Sequence, residues 1–436
     1  MLDKQIVDFN ESIIGLREFI DLIDPILTDK LKEHDEHISP LISLGVIKQM
    51  LTQNTELEEG EKEKIEGIQS KINAKILEIY KEEIDVEIET EEDKADSSMR
   101  LKIPSNIRFQ EHLANAGKTK NHIELLYRNS LISLLSSVEW FFSQILHFYY
   151  DKHPDASGIQ KKTMTLSDLK GFGTIEDAEK YLIDIKIEEI LRGNFDSWIS
   201  LLKSELSLNM GYIEPIKNEL IEIYQRRNLL VHNGGVVNSI YISKVEEKFR
   251  KDIKQNDKLN VDKEYLDNAI CKLQKAFILI AAELWKNLDK TDKKRGDVLG
   301  EITYENILKS KWDICEGLTY FMINDAQLET TDKVIAQLNY WLCKKRTNQM
   351  DSIRNELNKA DFSDKKEIFQ LGLFAIKDDV KSFIEILPHA LNSNQINIER
   401  LEEFPIFEEI RKTEDYIKFK EESKYFKEPN QEVIPQ

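Results

Sequence analysis

Cysteine is nearly missing: Cys271, Cys315 and Cys343 are the only three in 436 residues, with no pair at metal-clamping spacing. That excludes a disulfide framework and a cysteine-held metal, and leaves three reduced, apolar side chains. Glycine (16) and proline (9) are also scarce. A fold of many short strands needs more turn residues, so long helices are expected. The longest apolar run, residues 276–282, reads AFILIAA, far short of the roughly 20 residues that cross a bilayer. The start, Met1-Leu2-Asp3-Lys4, lacks a basic-then-apolar leader pattern. The expectation is a cytoplasmic protein without membrane contact. Basic charge is in deficit, with 61 Lys and Arg against 80 Asp and Glu and a net charge of −19. Long-range attraction of nucleic acid is thereby opposed, and work on phosphate must rest on a local basic patch. Gly-rich phosphate loops and serine-nucleophile signatures are absent as well.

Apolar residues make up 41% and charged residues 32%, which fits an all-α globular chain too long for one core. Three blocks are expected. Residues 1–100 form an N-terminal helical segment, with Ile13, Ile14, Leu16, Phe19, Ile20, Leu22 and Ile23 on one apolar face. It ends in a solvated acidic linker, where nine acids and one base stand between Glu82 and Asp96. Ile84, Val86 and Ile88 alternate there, which also suits a short edge strand. Residues 105–290 form a helical bundle, opened near Asn121 by Tyr127, Leu131, Leu135, Val138, Phe142, Ile145 and Tyr149 at helical spacing. Helices near 175–191, 195–206 and 213–232 come after it, then an extended piece at 236–242 and a helix at 263–285. Residues 300–425 look like paired helices of tetratricopeptide type. The stretch from Leu338 to Leu342 recurs 33 residues later from Leu371 to Ala375, as Met350 and Ile353 do in Phe383 and Ile386. Residues 426–436 are expected as a frayed tail.

The run Arg226-Arg227-Asn228-Leu229-Leu230-Val231-His232-Asn233-Gly234-Gly235 carries the chemistry. Ile216, Leu220 and Ile223 make an apolar stripe, and its next turn lands on Arg227. A guanidinium where packing prefers leucine needs a carboxylate partner or an anion. Tyr224, Asn228 and His232 stand at i, i+4 and i+8 beside it, and Asn-Gly-Gly stops the helix, since Gly readily turns left-handed. Metal-free RNA cleavage needs a base for the 2′-hydroxyl proton, an acid for the leaving 5′-oxygen and a cation over the phosphorane. His232, at a helix C-terminus where a cation is favoured, suits proton transfer. Arg227 suits the cation, and Asn228 the orientation of a ribose or phosphate oxygen. This chemistry calls for no cofactor or metal. Glu139, with Ser136 and Ser143 one turn to either side, is either a carboxylate reaching Arg227 or His232 or an ordinary solvated glutamate. His34 and His37 at i and i+3 suit metal ligation, but no third ligand is apparent, and the flanking Asp35 and Glu36 fit a charged surface. The runs Lys293-Lys294-Arg295 and Lys344-Lys345-Arg346 are either RNA contacts or wet surface.

Over residues 121–288 the chain resembles the HEPN superfamily, small helical bundles that carry an Arg, four to six residues, His motif. Arg227, Asn228 and His232 match the motif, with Glu139 on the long first helix and the Tyr241 segment behind the motif in the expected order. The resemblance implies a HEPN-type bundle acting as a metal-independent endoribonuclease on RNA, in antiphage defence or as a toxin, with one site built by a homodimer. Glu139, Tyr224, Arg226 and Tyr241 are then candidate supports of the site. One subgroup carries a modified Tyr two positions after the His; here that position is Gly234, so regulation of that kind is not implied. The C-terminal paired helices become the place for a trigger or protein partner. The other class that fits these residues is a non-catalytic helical scaffold in which the motif serves dimer packing.

Overall fold

The computed structural model describes residues 2–53, 59–84, 86–90, 99–104 and 107–426. They are almost entirely helical: α1 (Leu2–Gln53), α2 (Glu59–Tyr80), α3 (Phe109–Lys152), α4 (Leu166–Gly171), α5 (Ile175–Leu191), α6 (Phe195–Ser204), α7 (Lys217–His232), α8 (Ser239–Lys244), α9 (Lys263–Leu288), α10 (Lys294–Leu308), α11 (Trp312–Asn324), α12 (Thr330–Arg346), α13 (Arg354–Lys359), α14 (Glu367–Lys377), α15 (Val380–Asn392), α16 (Ile398–Glu403), α17 (Glu408–Arg411) and α18 (Glu414–Glu422). A single antiparallel ribbon is described, β1 (Glu87–Thr90) and β2 (Met99–Lys102), with Glu87 opposite Lys102. The expected solvated linker is therefore corrected over its first half. Ile84 and Val86 are buried, and the apolar alternation leads into a strand. Residues 91–98 of the acidic stretch, and the expected tail beyond Phe426, lie outside the described residues.

Two compact units divide the chain, and α1 and α3 contribute to both. The smaller comprises residues 15–131 and 260–263. Its core gathers Ile38, Leu41 and Leu44 of α1, Ile76 of α2, Ile84, Val86 and Ile107, and Phe109 and Ala116 of α3. Buried Asp24 accepts hydrogen bonds from the Tyr127 hydroxyl and, at 2.7 Å, from the Lys263 ammonium. The larger unit comprises residues 1–14, 132–259 and 264–436. At its centre α9 is buried on most sides from Leu266 to Trp285, as expected of a helix apolar nearly all round. Phe142 of α3 meets Phe277 of α9 edge-on at 6.0 Å, and Phe9 of α1 stacks on Phe141 at 4.2 Å. These units cut across the three blocks read along the sequence, because α1 and α3 are single helices of 52 and 44 residues. α3 starts at Phe109, well before Asn121. By length and hydropathy it also matches a membrane-crossing helix, and its Leu131, Leu134, Val138, Phe141 and Ile145 are buried in protein.

In the C-terminal helices, Leu338 to Leu342 lie on α12 and Leu371 to Ala375 on α14, but the second helices of the two expected pairs are unequal. Met350 and Ile353 sit on a single 3-10 turn before the short α13, whereas Phe383 and Ile386 lie on the 13-residue α15. Four cations of the basic runs are engaged internally. Arg295 is fully buried and donates to Asp325 at 2.7 and 2.9 Å. Lys344 pairs with Glu316 at 2.6 Å, Lys345 donates to the Ala375 carbonyl at 2.8 Å, and Arg346 pairs with Glu408 and Glu409. Buried and half-buried cations require such partners, and these four are held within the helix packing.

In the smaller unit His112 joins His34 and His37, a neighbour that local spacing could not supply. Its Nδ1 lies 3.3 Å from that of His34, and its ring stacks on His37 at 4.2 Å. Among the described residues no three His, Cys, Asp or Glu side chains are arranged to hold a metal. Burial, then His37 and His34, push the His112 imidazole below its ordinary value, while Glu111 and Glu33 oppose them. A folded-state value below the unfolded one means that the unfolded chain takes up the proton first as pH falls. The contribution to stability is then whole above the ordinary histidine value of about 6.5 and is lost on descending through the folded value. We expect the melting temperature to fall as pH drops below about 6.5, and His112→Gln to flatten that limb. Equal acid slopes in the two proteins would assign the effect to other groups.

Candidate functional site

The motif helix α7 is seated by a buried carboxylate. Glu222, 5% exposed, accepts from Arg226 Nε at 2.8 Å on its own helix, from the Tyr241 hydroxyl of α8 at 2.8 Å and from the Tyr265 hydroxyl of α9 at 2.6 Å. The Arg226 guanidinium also lies over the Tyr265 ring, 4.0 Å from its centre, a cation–π contact. Burial works against the Arg226 charge, but Tyr265 and Glu222 outweigh it and hold its pKa above the ordinary value. Burial, then Glu222, raises both the Tyr241 and the Tyr265 phenols, which stay protonated donors. Arg226 and Tyr241, expected as supports of the site, thus belong to an anchoring network behind the motif and do not line the cleft that the motif faces.

Arg227, Asn228 and His232 line that cleft, whose volume is about 520 Å³. Glu139 of α3 is on its wall, as are Gly193, Asn194, Phe195 and Trp198 around the start of α6, Tyr224 of α7, and Asn238 and Ile240 at the start of α8. The row expected along α7 is therefore on one surface. The Arg227 guanidinium is ion-paired to Glu139 and donates to Asn228 Oδ1 at 3.2 Å, so Glu139 is the carboxylate partner that the buried stripe demanded. Tyr224 stacks on Phe195 with centroids 4.9 Å apart and meets Trp198 edge-on at 5.4 Å. Burial, then the Glu139 charge, raises its phenol well above the ordinary value, with Arg227 opposing. His232 is solvent-exposed at the last turn of α7. The cleft thus offers a cation, an amide and an imidazole within one polar wall, beside an aromatic one.

The local sequence explains these placements. α7 ends because Gly234 and Gly235 both have positive φ, at 59° and 86°, so that the Asn233 and Gly235 amides both close back on the Leu229 carbonyl, at 2.8 and 2.9 Å. The chain is then pinned to residues 256–259 by Val237 N–H to Asp257 O at 2.8 Å and Leu259 N–H to Gly235 O at 2.9 Å. The extended piece expected at 236–242 is cut short. Only Val236 bridges, to Lys258, because Asn238 caps α8 by accepting from the Tyr241 amide at 3.0 Å. Asn194 caps α6 in the same way, from the Ser197 amide at 2.9 Å. Arg192, Asn194, Gln225 and Asn238 line the cleft and were missed in the sequence. Both asparagines are legible there as N-caps, but nothing local says that the two caps face one space.

No family model matches the chain, and it matches no curated protein and no solved structure.

A Cβ on Gly235 would meet the Leu259 carbonyl oxygen at 2.8 Å, whereas one on Gly234 meets nothing within 4 Å. Gly234→Ala should therefore cost only the left-handed backbone, about 1 kcal/mol. Gly235→Ala adds a clash and should exceed the roughly 1–3 kcal/mol of a strained backbone alone. Chemical denaturation that ranks the two equally would show that the loop yields freely.

Proposed function

We propose that this chain is a metal-independent endoribonuclease of HEPN type. The observation that carries the reading is that Arg227, Asn228 and His232, all on α7, line one cleft together with Glu139 and Tyr224. A 2′-hydroxyl loses its proton, attacks the adjacent phosphorus and expels the 5′-oxygen, which leaves a 2′,3′-cyclic phosphate. His232 transfers a proton, Arg227 stabilises the charge gathering on the phosphorane, and Asn228 orients a ribose or phosphate oxygen. Nothing in these steps needs a cofactor.

One chain brings one His232 to a reaction with two proton transfers, so a homodimer about a two-fold axis, bringing two motif helices together, completes the site. Ile240 on the cleft wall is an exposed apolar side chain, as are Trp140 and Val231, which follow Glu139 and precede His232 in sequence; a second copy seated at the cleft mouth would cover Ile240. The C-terminal helices α10 to α18 are then the region for a trigger or partner, and a cytoplasmic role in antiphage defence or as a toxin rests on the resemblance alone. The scaffold reading is favoured by one observation, the Arg227–Glu139 ion pair, because a purely structural motif also needs it.

The enzyme reading expects His232→Ala to abolish RNA cleavage with little change in melting temperature, since an exposed imidazole at a helix end contributes little to the core. Cleavage should persist in EDTA and yield a 2′,3′-cyclic phosphate; a strict need for a divalent ion, or a 5′-phosphate product, sinks the mechanism. Mixing wild type with His232→Ala should lower activity beyond simple dilution. A linear loss, with a monomeric mass by light scattering, would mean that each chain cuts alone.

A further inference from the structure

The Arg227 guanidinium is already occupied by Glu139, with the two side chains 16% and 31% exposed. Beside this pair are two further polar atoms, Arg227 Nε and the Tyr224 hydroxyl, both buried and both without a hydrogen-bond partner. Nearly all buried donors in folded proteins find an acceptor. Two orphaned donors flanking one ion pair mark a place where an oxygen-rich group is still to arrive or to move.

We propose that Glu139 is a resting counter-ion seated where the substrate's phosphodiester binds, and that phosphate displaces it from Arg227 while the Tyr224 hydroxyl receives the released carboxylate. The inference rests on the ribonuclease reading for the identity of the anion. A guanidinium fork fits a carboxylate or a phosphate with the same paired geometry, so the two compete for one side chain. Two anions in so small a space repel, and the displaced carboxylate needs a donor. Tyr224 is that donor. Its phenol is kept protonated by burial and by the Glu139 charge, and its ring is fixed between Phe195 and Trp198. The affinity of the cleft for an anion is therefore set by exchange, and the resting site is electrically quiet at its own cation.

The full-length protein is titrated by calorimetry with inorganic phosphate and with a 2′-deoxy oligonucleotide, which binds without being cleaved. Glu139→Gln should tighten both by about tenfold, the change produced by removing a charge-assisted competitor of usual strength. Tyr224→Phe should weaken both in the wild-type background and change neither in the Glu139→Gln background, where no carboxylate awaits a donor. If Glu139→Gln folds poorly, Glu139→Asp, whose shorter side chain reaches Arg227 less well, should tighten phosphate in the same direction. Unchanged or weaker phosphate binding by the folded Glu139 variant overturns the proposal, as does an equal effect of Tyr224→Phe in both backgrounds. Tighter phosphate binding without RNA cleavage by the wild type keeps the counter-ion and removes the ribonuclease. Cleavage with no gain in phosphate affinity does the reverse.

Discussion

Glu222 is a carboxylate taken out of water, and the position of the motif helix depends on keeping it satisfied. Stranding such a charge costs several kcal/mol, so Arg226, Tyr241 and Tyr265 must all stay on it. Those donors come from α7, α8 and α9, and they fix the rotation of α7 about its axis. Consecutive residues on a helix point about 100° apart. With Arg226 held on Glu222, Arg227 is turned into the cleft and onto Glu139. Two adjacent arginines thereby have separate carboxylates and separate tasks, one holding the scaffold and one facing the space where chemistry is proposed.

Helical periodicity exposed much of this in the chain itself. Arg227 was marked by an apolar stripe that ran into a cation, and the helix end by Asn233-Gly234-Gly235. What the sequence left undetermined were partners brought from a distance. Glu139 was an open choice, because a mid-helix glutamate looks the same whether it meets solvent or an arginine 88 positions away. Arg226 and Tyr241 were grouped with the site through the resemblance, and only burial and partners distinguish an anchoring network from a cleft wall. Val236, Val237, Ile240 and Ile242 are β-branched and favour an extended chain, yet one asparagine cap was enough to start a helix at residues 239–244.

Charge is equally dependent on partners brought from a distance. The chain carries a surplus of 19 acids, and buried or paired positions take several of its cations. Arg295 is fully enclosed with Asp325, and Lys344, Lys345 and Arg346 tie α12 to α11, α14 and α17. Much of both basic runs is therefore taken up by contacts between helices. A cation that faces the cleft is instead Arg227, a single arginine at a position where charge is costly.

Asn194 and Asn238 each do two things with one side chain. Each ends a run of unpaired amides at the start of a helix, and each stands on the wall of the same cleft. Aspartate and serine cap helices about as well as asparagine, but they would line the wall with a charge or with a shorter hydroxyl. A genetic screen that scores abundance should accept such exchanges, and one that scores the proposed RNA cleavage should not. The two asparagines are thus positions where tolerance to substitution depends on what is selected.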